Sequence, residues 1–228
     1  MISNFKKIFS SSKPIVIAGP CSAESEKQVL ATAHELKKHD NLIFRAGIWK
    51  PRTRPNSFEG IGIEGLNWLK KVKDETGLKT TVEVAKAKHV ELSIKHGVDI
   101  LWVGARTTGN PFAIQEIADA LKNTDIPVLV KNPINPELNL WIGAIERLQD
   151  AGVYNIAAIH RGFFTYKNSK YRNIPQWQLA LDLKRKFPDL PMICDPSHIS
   201  GDSDLIMEIS QKAMDMSYDG LMIETHID

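Results

Sequence analysis

Eight short apolar runs recur along this chain with amphipathic segments between them, and no other feature narrows the possible folds as far. The runs are Ile15 to Ala18, Leu42 to Phe44, Lys79 to Val84, Ile100 to Val103, Val128 to Val130, Ile156 to Ile159, Met192 to Cys194 and Leu221 to Ile223. Each is too short for a helix and has the apolar character of a strand buried on both faces. The intervening segments carry apolar residues at three- and four-residue steps. Val29, Ala33 and Leu36 mark the first, and Leu66, Leu69 and Val72 the second, closed near Gly77. Asn110-Pro111 is a helix start with Pro at the first helical position, ahead of Ile114, Ile117, Ala118 and Leu121. Asn135-Pro136 repeats the device before Trp141, Ala144, Ile145 and Leu148. Strict alternation of strand and helix predicts a parallel sheet, and eight strands is the number that closes an α/β barrel. The expected fold is a (β/α)8 barrel over residues 14–228, preceded by a polar arm at 1–13. Only seven helical segments accompany the eight runs. The reading therefore includes an eighth helix beyond the segment given, which would make the barrel truncated at its carboxyl end.

The composition agrees with a globular chain and removes several function classes. At 228 residues, 43% hydrophobic and 25% charged, the protein has the material for one large core. Lys and Arg number 29 against 27 Asp and Glu, so there is no bulk field suited to nucleic acid. Two cysteines, Cys21 and Cys194, make no disulfide framework and suit a reducing compartment. No run approaches the length needed to span a bilayer, and no leader pattern opens the chain. The expectation is a cytoplasmic protein with no nucleic-acid or membrane partner.

In a barrel of this kind the residues that follow each strand converge on one mouth. Strand two is followed by Arg45, Lys50, Arg52 and Arg54, strand four by Arg106, strand five by Lys131 and strand six by Arg161. Such cations repel one another unless an anion neutralises them, so a multiply anionic ligand is expected, a phosphate with a carboxylate being the simple case. Gly47 and Pro51 suggest that the loop after strand two is held rather than floppy. Glu83 closes strand three and reads either as a counter-charge in the mouth or as a structural partner of Arg106 or Lys131. Strands seven, eight and one are followed by His198, Glu224 and Cys21, which barrel closure makes neighbours. A sulfur, an imidazole and a carboxylate together suit a divalent transition metal. His34, His39, His89 and His96 fall in helical segments and read as solvated, Cys194 reads as core, and the five tryptophans as packing residues.

These same residues carry a resemblance. Gly19-Pro20-Cys21-Ser22, Arg45-Ala46-Gly47, Lys50-Pro51-Arg52-Thr53, Gly104-Ala105-Arg106, Lys131-Asn132-Pro133, His160-Arg161-Gly162, Asp195-Pro196-Ser197-His198 and Ile223-Glu224 resemble, in order, the 3-deoxy-D-arabino-heptulosonate 7-phosphate (DAHP) synthases. Within that family they are similar to the short-barrel branch close to the 3-deoxy-D-manno-octulosonate 8-phosphate (KDO8P) synthases. The resemblance implies that Arg45, Lys50, Ala105, Arg106, Lys131 and Arg161 bind phosphoenolpyruvate, and that Arg52 and Thr53 meet erythrose 4-phosphate. It implies a metal held by Cys21, His198 and Glu224, manganese first, with iron, cobalt or zinc as alternatives. A fourth ligand in the family, an Asp, would lie beyond Asp228. The Pro-Arg pair at 51–52 favours erythrose 4-phosphate over the arabinose 5-phosphate used by the KDO8P branch.

The implied reaction is a condensation in which C3 of phosphoenolpyruvate attacks an aldehyde carbon, water adds at C2 and phosphate leaves. Lys50 is the expected proton donor, with Cys21 and His198 acting through the metal. This is the first step of the shikimate pathway to the aromatic amino acids. The resemblance further implies a homo-oligomer, and leaves open a chorismate mutase domain after the barrel. The rival readings are a KDO8P synthase, a Schiff-base aldolase using Lys131, and a phosphometabolite-binding barrel without catalysis.

Overall fold

The computed structural model describes residues 13–50, 56–166 and 169–227. Arg52 and Thr53, and the run 51–55 to which they belong, lie outside the described residues. The eight apolar runs form strands β1 (Ile15–Gly19), β2 (Leu42–Arg45), β3 (Lys79–Val84), β4 (Ile100–Val103), β5 (Val128–Lys131), β6 (Ile156–His160), β7 (Met192–Cys194) and β8 (Gly220–Glu224). They close into one parallel barrel in sequence order. The closing seam is a five-pair register from Ile15 opposite Gly220 to Gly19 opposite Glu224. Several strands run past their apolar stretch: β1 to Gly19, β2 to Arg45, β5 to Lys131, β6 to His160 and β8 to Glu224. A polar side chain at the mouth does not interrupt the backbone ladder, so strand and site overlap.

Outside the strands lie α1 (Glu26–Leu36), α2 (Glu64–Thr76), α3 (Ala87–Lys95), α5 (Pro111–Leu121), α6 (Leu138–Asp150), α7 (Trp177–Lys186) and α9 (Ile206–Asp215). Two short turns of helix, α4 (Ala105–Thr108) and α8 (Pro196–Ser200), sit directly after β4 and β7. Their shortness hides them from periodicity. Asn110 caps α5 as expected, accepting from the N–H groups of Phe112 and Ala113. Asn135-Pro136 does not act in the same way. The helix there begins at Leu138 after Glu137, with no side-chain cap, and 135–136 stay in the loop. At the other end of α2, Gly77 adopts the left-handed conformation that ends a helix.

The core has two shells. One lies between the outer strand faces and the helices, and includes Phe44, Leu69, Val103, Trp141, Ile145 and Leu183. The other fills the barrel with Ile15, Ile17, Ile43, Ile100, Trp102, Leu129, Ala157, Ile159, Ile193 and Met222. Since side chains alternate across a strand, the residue two positions after an interior one is also interior. Ile43 is thus followed by Arg45, Leu129 by Lys131, Ile159 by Arg161, Ile193 by Asp195 and Met222 by Glu224. These five interior rows start in an apolar plug and end in an ionisable group at the mouth, whereas those of β1 and β4 end at Gly19 and Gly104.

Candidate active site

Trp102 is the floor of the site. It is fully buried, and its indole N–H donates to Glu83 Oε2 at 3.2 Å. The Arg45 guanidinium lies 5.1 Å and the Lys131 ammonium 6.0 Å from its ring centre, a placement that lets the π face favour positive charge above it. Glu83 thus bonds to the Trp102 indole, a partner the sequence reading did not offer. Above the floor is a cavity of about 290 Å³. Arg106, Lys131, Arg161 and Arg172 supply its cations, with Glu83, Asn173 and His198 on the same wall. The structure thus brings together Ala105, Arg106, Lys131, Arg161 and His198 of the expected residues, and adds Arg172 and Asn173.

Two side chains hold this mouth in shape. Asn132 Oδ1 accepts from the Arg161 N–H at 2.7 Å, and its Nδ2 donates to the carbonyls of Pro133 and Gly162 at 2.8 Å each. Asp195 is fully buried and accepts from the Lys131 ammonium at 2.7 Å. Asp195 also caps α8 by accepting from the His198 N–H at 3.0 Å, and it meets His198 Nδ1 at 2.9 Å. Burial works against this carboxylate, but the His198 ring and the Lys131 ammonium hold it well below its usual range. Burial lowers His198, with Asp195 opposing, so the ring is neutral at pH 7. Its Nδ1–H donates to Asp195, which leaves the Nε2 lone pair directed at the mouth. Burial also lowers Arg161 to about 10, with Asp195 opposing and Arg172 and Arg106 adding to the shift.

Arg45, Lys50, Cys21 and Glu224 do not line that cavity but adjoin it through His198. Glu224 Oε1 lies 3.7 Å from His198 Nε2 and 3.4 Å from Arg45 Nη2. Burial raises Glu224, while Arg45 and His198 bring it below its usual value. Lys50 donates to the Cys21 carbonyl, and its Nζ is 3.2 Å from Cys21 Sγ. Gly47 makes that approach possible. Its φ is not positive, so conformational freedom is not its part, but a Cβ there would collide with the Cys21 carbonyl oxygen. Arg45 is 2% exposed, and its Nε and Nη1 find no hydrogen-bond partner. Buried guanidinium donors without acceptors are the signature of a site shaped for an anion.

The donor chemistry of Cys21, His198 and Glu224 fits a divalent transition metal, and Glu224 Oε1 lies 3.7 Å from the His198 ring. Among the described residues, however, no group of three or more His, Cys, Asp or Glu side chains is already drawn together as an ion cage. Asp228 lies outside the described residues.

One histidine departs from the sequence reading, and a second takes no part in the mouth. His89 is not solvated but stacks on Trp49, with ring centres 4.0 Å apart and planes within 5°, and burial lowers it to about 4. His160 points outward from β6, away from the mouth, into a cluster with Trp141, Phe163, Trp177 and Tyr218. It is fully buried, its Nε2 meets the Pro175 carbonyl at 2.6 Å, and its Nδ1 meets the Tyr218 hydroxyl at 3.0 Å.

Fold and site together define a (β/α)8 barrel with a cation-lined mouth at the carboxyl ends of its strands. No helix among the described residues is long and apolar enough to cross a membrane. The chain belongs to the DAHP synthetase I family, whose pattern it matches over residues 5–228. It is 30% identical over 211 residues to a phospho-2-dehydro-3-deoxyheptonate aldolase of Thermotoga maritima, covering 92% of this chain and 60% of that protein. A crystal structure of the Thermotoga maritima DAHP synthase superposes with a TM-score of 0.83 at 28% identity, over 95% of this chain and 60% of that one. A 2-dehydro-3-deoxyphosphooctonate aldolase of Helicobacter pylori is 28% identical over 243 residues, covering 95% of this chain and 86% of that protein. The chain thus spans 60% of the length of the Thermotoga relative.

Proposed function

We propose that this barrel is the catalytic domain of a DAHP synthase, condensing phosphoenolpyruvate with erythrose 4-phosphate and releasing phosphate. The observation that carries the reading is the arrangement of four cations, Arg106, Lys131, Arg161 and Arg172, around one cavity whose wall includes His198. Phosphoenolpyruvate carries a phosphate and a carboxylate close together, and several fixed guanidinium forks match that pattern better than mobile point charges do. Arg45, with unpaired buried donors beside Glu224, belongs to the same anion site. Ala105 contributes through the backbone at the start of α4. Arg52 and Thr53 remain assigned to the aldehyde phosphate by resemblance.

Cys21, His198 and Glu224 would hold a divalent metal, manganese first, with iron, cobalt or zinc also suited to the donor set. When bound there, the metal supplies Lewis acidity toward an aldehyde oxygen. The chain's own residues do the rest. The cations fix the enol substrate so that its C3 faces the aldehyde carbon. Asp195 holds His198 and Lys131 in place, and Lys50, beside Cys21, protonates the developing alkoxide.

The likeness to the octulosonate aldolases, which covers most of their length, favours KDO8P synthesis as the second reading. One experiment separates the two. Phosphate release from phosphoenolpyruvate is followed with manganese and either erythrose 4-phosphate or arabinose 5-phosphate, and then repeated in excess EDTA. The proposal expects turnover with the four-carbon aldehyde and its loss on chelation. Turnover with arabinose 5-phosphate alone would transfer the chain to the second reading, and undiminished turnover in EDTA would remove the metal.

A further inference from the structure

The two halves of the site, cations on one side and Cys21, His198 and Glu224 on the other, are joined by two separate bridges, and both end on His198. The first runs from Lys131 through the Asp195 carboxylate to the imidazole. The second runs through Asn173. Its Oδ1 accepts from Arg161 Nη1 at 2.9 Å, and its Nδ2 donates to the His198 carbonyl at 2.6 Å. A primary amide is suited to this place because it offers an acceptor and two donors on one rigid plane, and this is the orientation in which both neighbours are satisfied. A carboxylate would have nothing to donate, and a hydroxyl on a shorter stem would not span the gap.

Asn173 is also clamped at its backbone. Its N–H donates to the Ile199 carbonyl at 3.1 Å, and the N–H of the preceding Arg172 donates to the Ser200 carbonyl at 3.0 Å, so this stretch is laced to α8. On its other side Phe163 and Ile174 exchange a pair of backbone bonds of 2.8 and 2.9 Å. Gly162, at φ +74°, lets the two segments meet, since a Cβ there would lie 2.7 Å from the Asn173 carbonyl oxygen. The residue is 5% exposed and lies on the cavity wall. A side chain this fixed does more than fill space. When an anion draws Arg161 into a new alignment, the shared amide plane passes that change to the short helix that carries the imidazole.

We infer that Asn173 is a positioning residue that couples occupancy of the anion half of the site to metal affinity in the other half. The inference rests on the proposed function and deepens it. Coupling between two ligands is reciprocal and is read as the factor by which one changes the affinity for the other.

The test uses the full chain and measures manganese affinity by electron paramagnetic resonance, with and without phosphoenolpyruvate. The wild-type protein is expected to bind manganese about tenfold more tightly when phosphoenolpyruvate is present. In Asn173→Ala the factor falls to about threefold, the remainder passing through Lys131 and Asp195. Asn173→Asp keeps an acceptor for Arg161 but loses the donor to His198. It lowers the factor equally and serves if the alanine variant folds poorly. A packing role would weaken both affinities and leave their ratio unchanged, and that result in both variants overturns the inference. A wild-type protein that binds both ligands with no coupling overturns it as well, leaving the functional reading in place. Failure of the wild type to bind phosphoenolpyruvate overturns both.

Discussion

Replacing Lys131 by Met removes one member of a buried ion pair whose side chains are 6% and 0% exposed and whose charged atoms are 2.7 Å apart. Breaking such a pair from one side costs about 3 to 5 kcal/mol, because the partner is left buried with less compensation. Two features place Lys131→Met near the lower limit. Asp195 keeps its bonds to the His198 N–H and ring, and loss of one cation relieves repulsion among Lys131, Arg161 and Arg106. The expected loss is about 3 kcal/mol, or a fall of roughly 6 to 12 °C in the unfolding midpoint for a chain of this size. Asp195→Asn strands the ammonium among the same cations and costs about 4 kcal/mol. Combining Lys131→Met with Asp195→Asn leaves neither member of the pair charged, while the new amide oxygen still caps α8, so the double variant costs about 4 kcal/mol rather than the sum. The pair thus carries a coupling of roughly 3 kcal/mol. Urea unfolding of the four proteins at pH 7 in a phosphate-free buffer measures it, since phosphate in the mouth would replace the missing counter-charge. A coupling below about 0.5 kcal/mol would mean that Lys131 and Asp195 act independently, and the account of the mouth as a charge-balanced frame would be wrong.

Three further variants probe other parts of the molecule. Cys21→Ala is expected to lose bound manganese while retaining phosphoenolpyruvate affinity, with metal content of the dialysed protein as the readout; unchanged stoichiometry would remove the thiol from the ligand set. Arg172→Ala is expected to raise the KM for phosphoenolpyruvate about tenfold or more, the usual consequence of losing a charge-assisted hydrogen bond, and an unchanged KM would place this guanidinium outside the anion site. His160, lowered by burial to about 4 from 6.5, is neutral in the folded protein, whereas the unfolded chain takes up a proton below 6.5. Its contribution is complete above pH 6.5 and is lost as the pH falls toward 4, by about 3 kcal/mol across that window. His160→Gln should flatten the stability profile there relative to wild type, and parallel urea profiles for the two proteins would contradict the assignment.

The ring of strands and most of its charged rim were legible in the sequence for one reason. Each interior row ends where its apolar run ends, so Arg45, Lys131 and Glu224 announce themselves as the first ionisable groups after a hydrophobic stretch. What was not legible depends on contacts across long separations. Asp195 figured in the sequence only as part of the Asp195-Pro196-Ser197-His198 motif; its capping of α8 and the approach of its second oxygen to Lys131 appear only in the closed barrel. Arg172 and Asn173 sit in the connection between β6 and α7, where no periodicity marks a residue as inward-facing. His89 lies in α3 with a polar neighbourhood in sequence, and its stacking on Trp49 joins two residues far apart in the chain. Asn135-Pro136 shows the converse, a sound local start signal that goes unused: the helix begins only at Leu138, and Ile134 just before the signal lines the cavity.

His160 and Arg161 are adjacent in the chain yet belong to opposite sides of the barrel wall, one among aromatic rings and the other in the cavity. Deleting or inserting a single residue anywhere in β6 would exchange them, presenting imidazole to the substrate and driving guanidinium into the aromatic packing. In a mutational library, single-codon deletions there should be as damaging as loss of Arg161 itself.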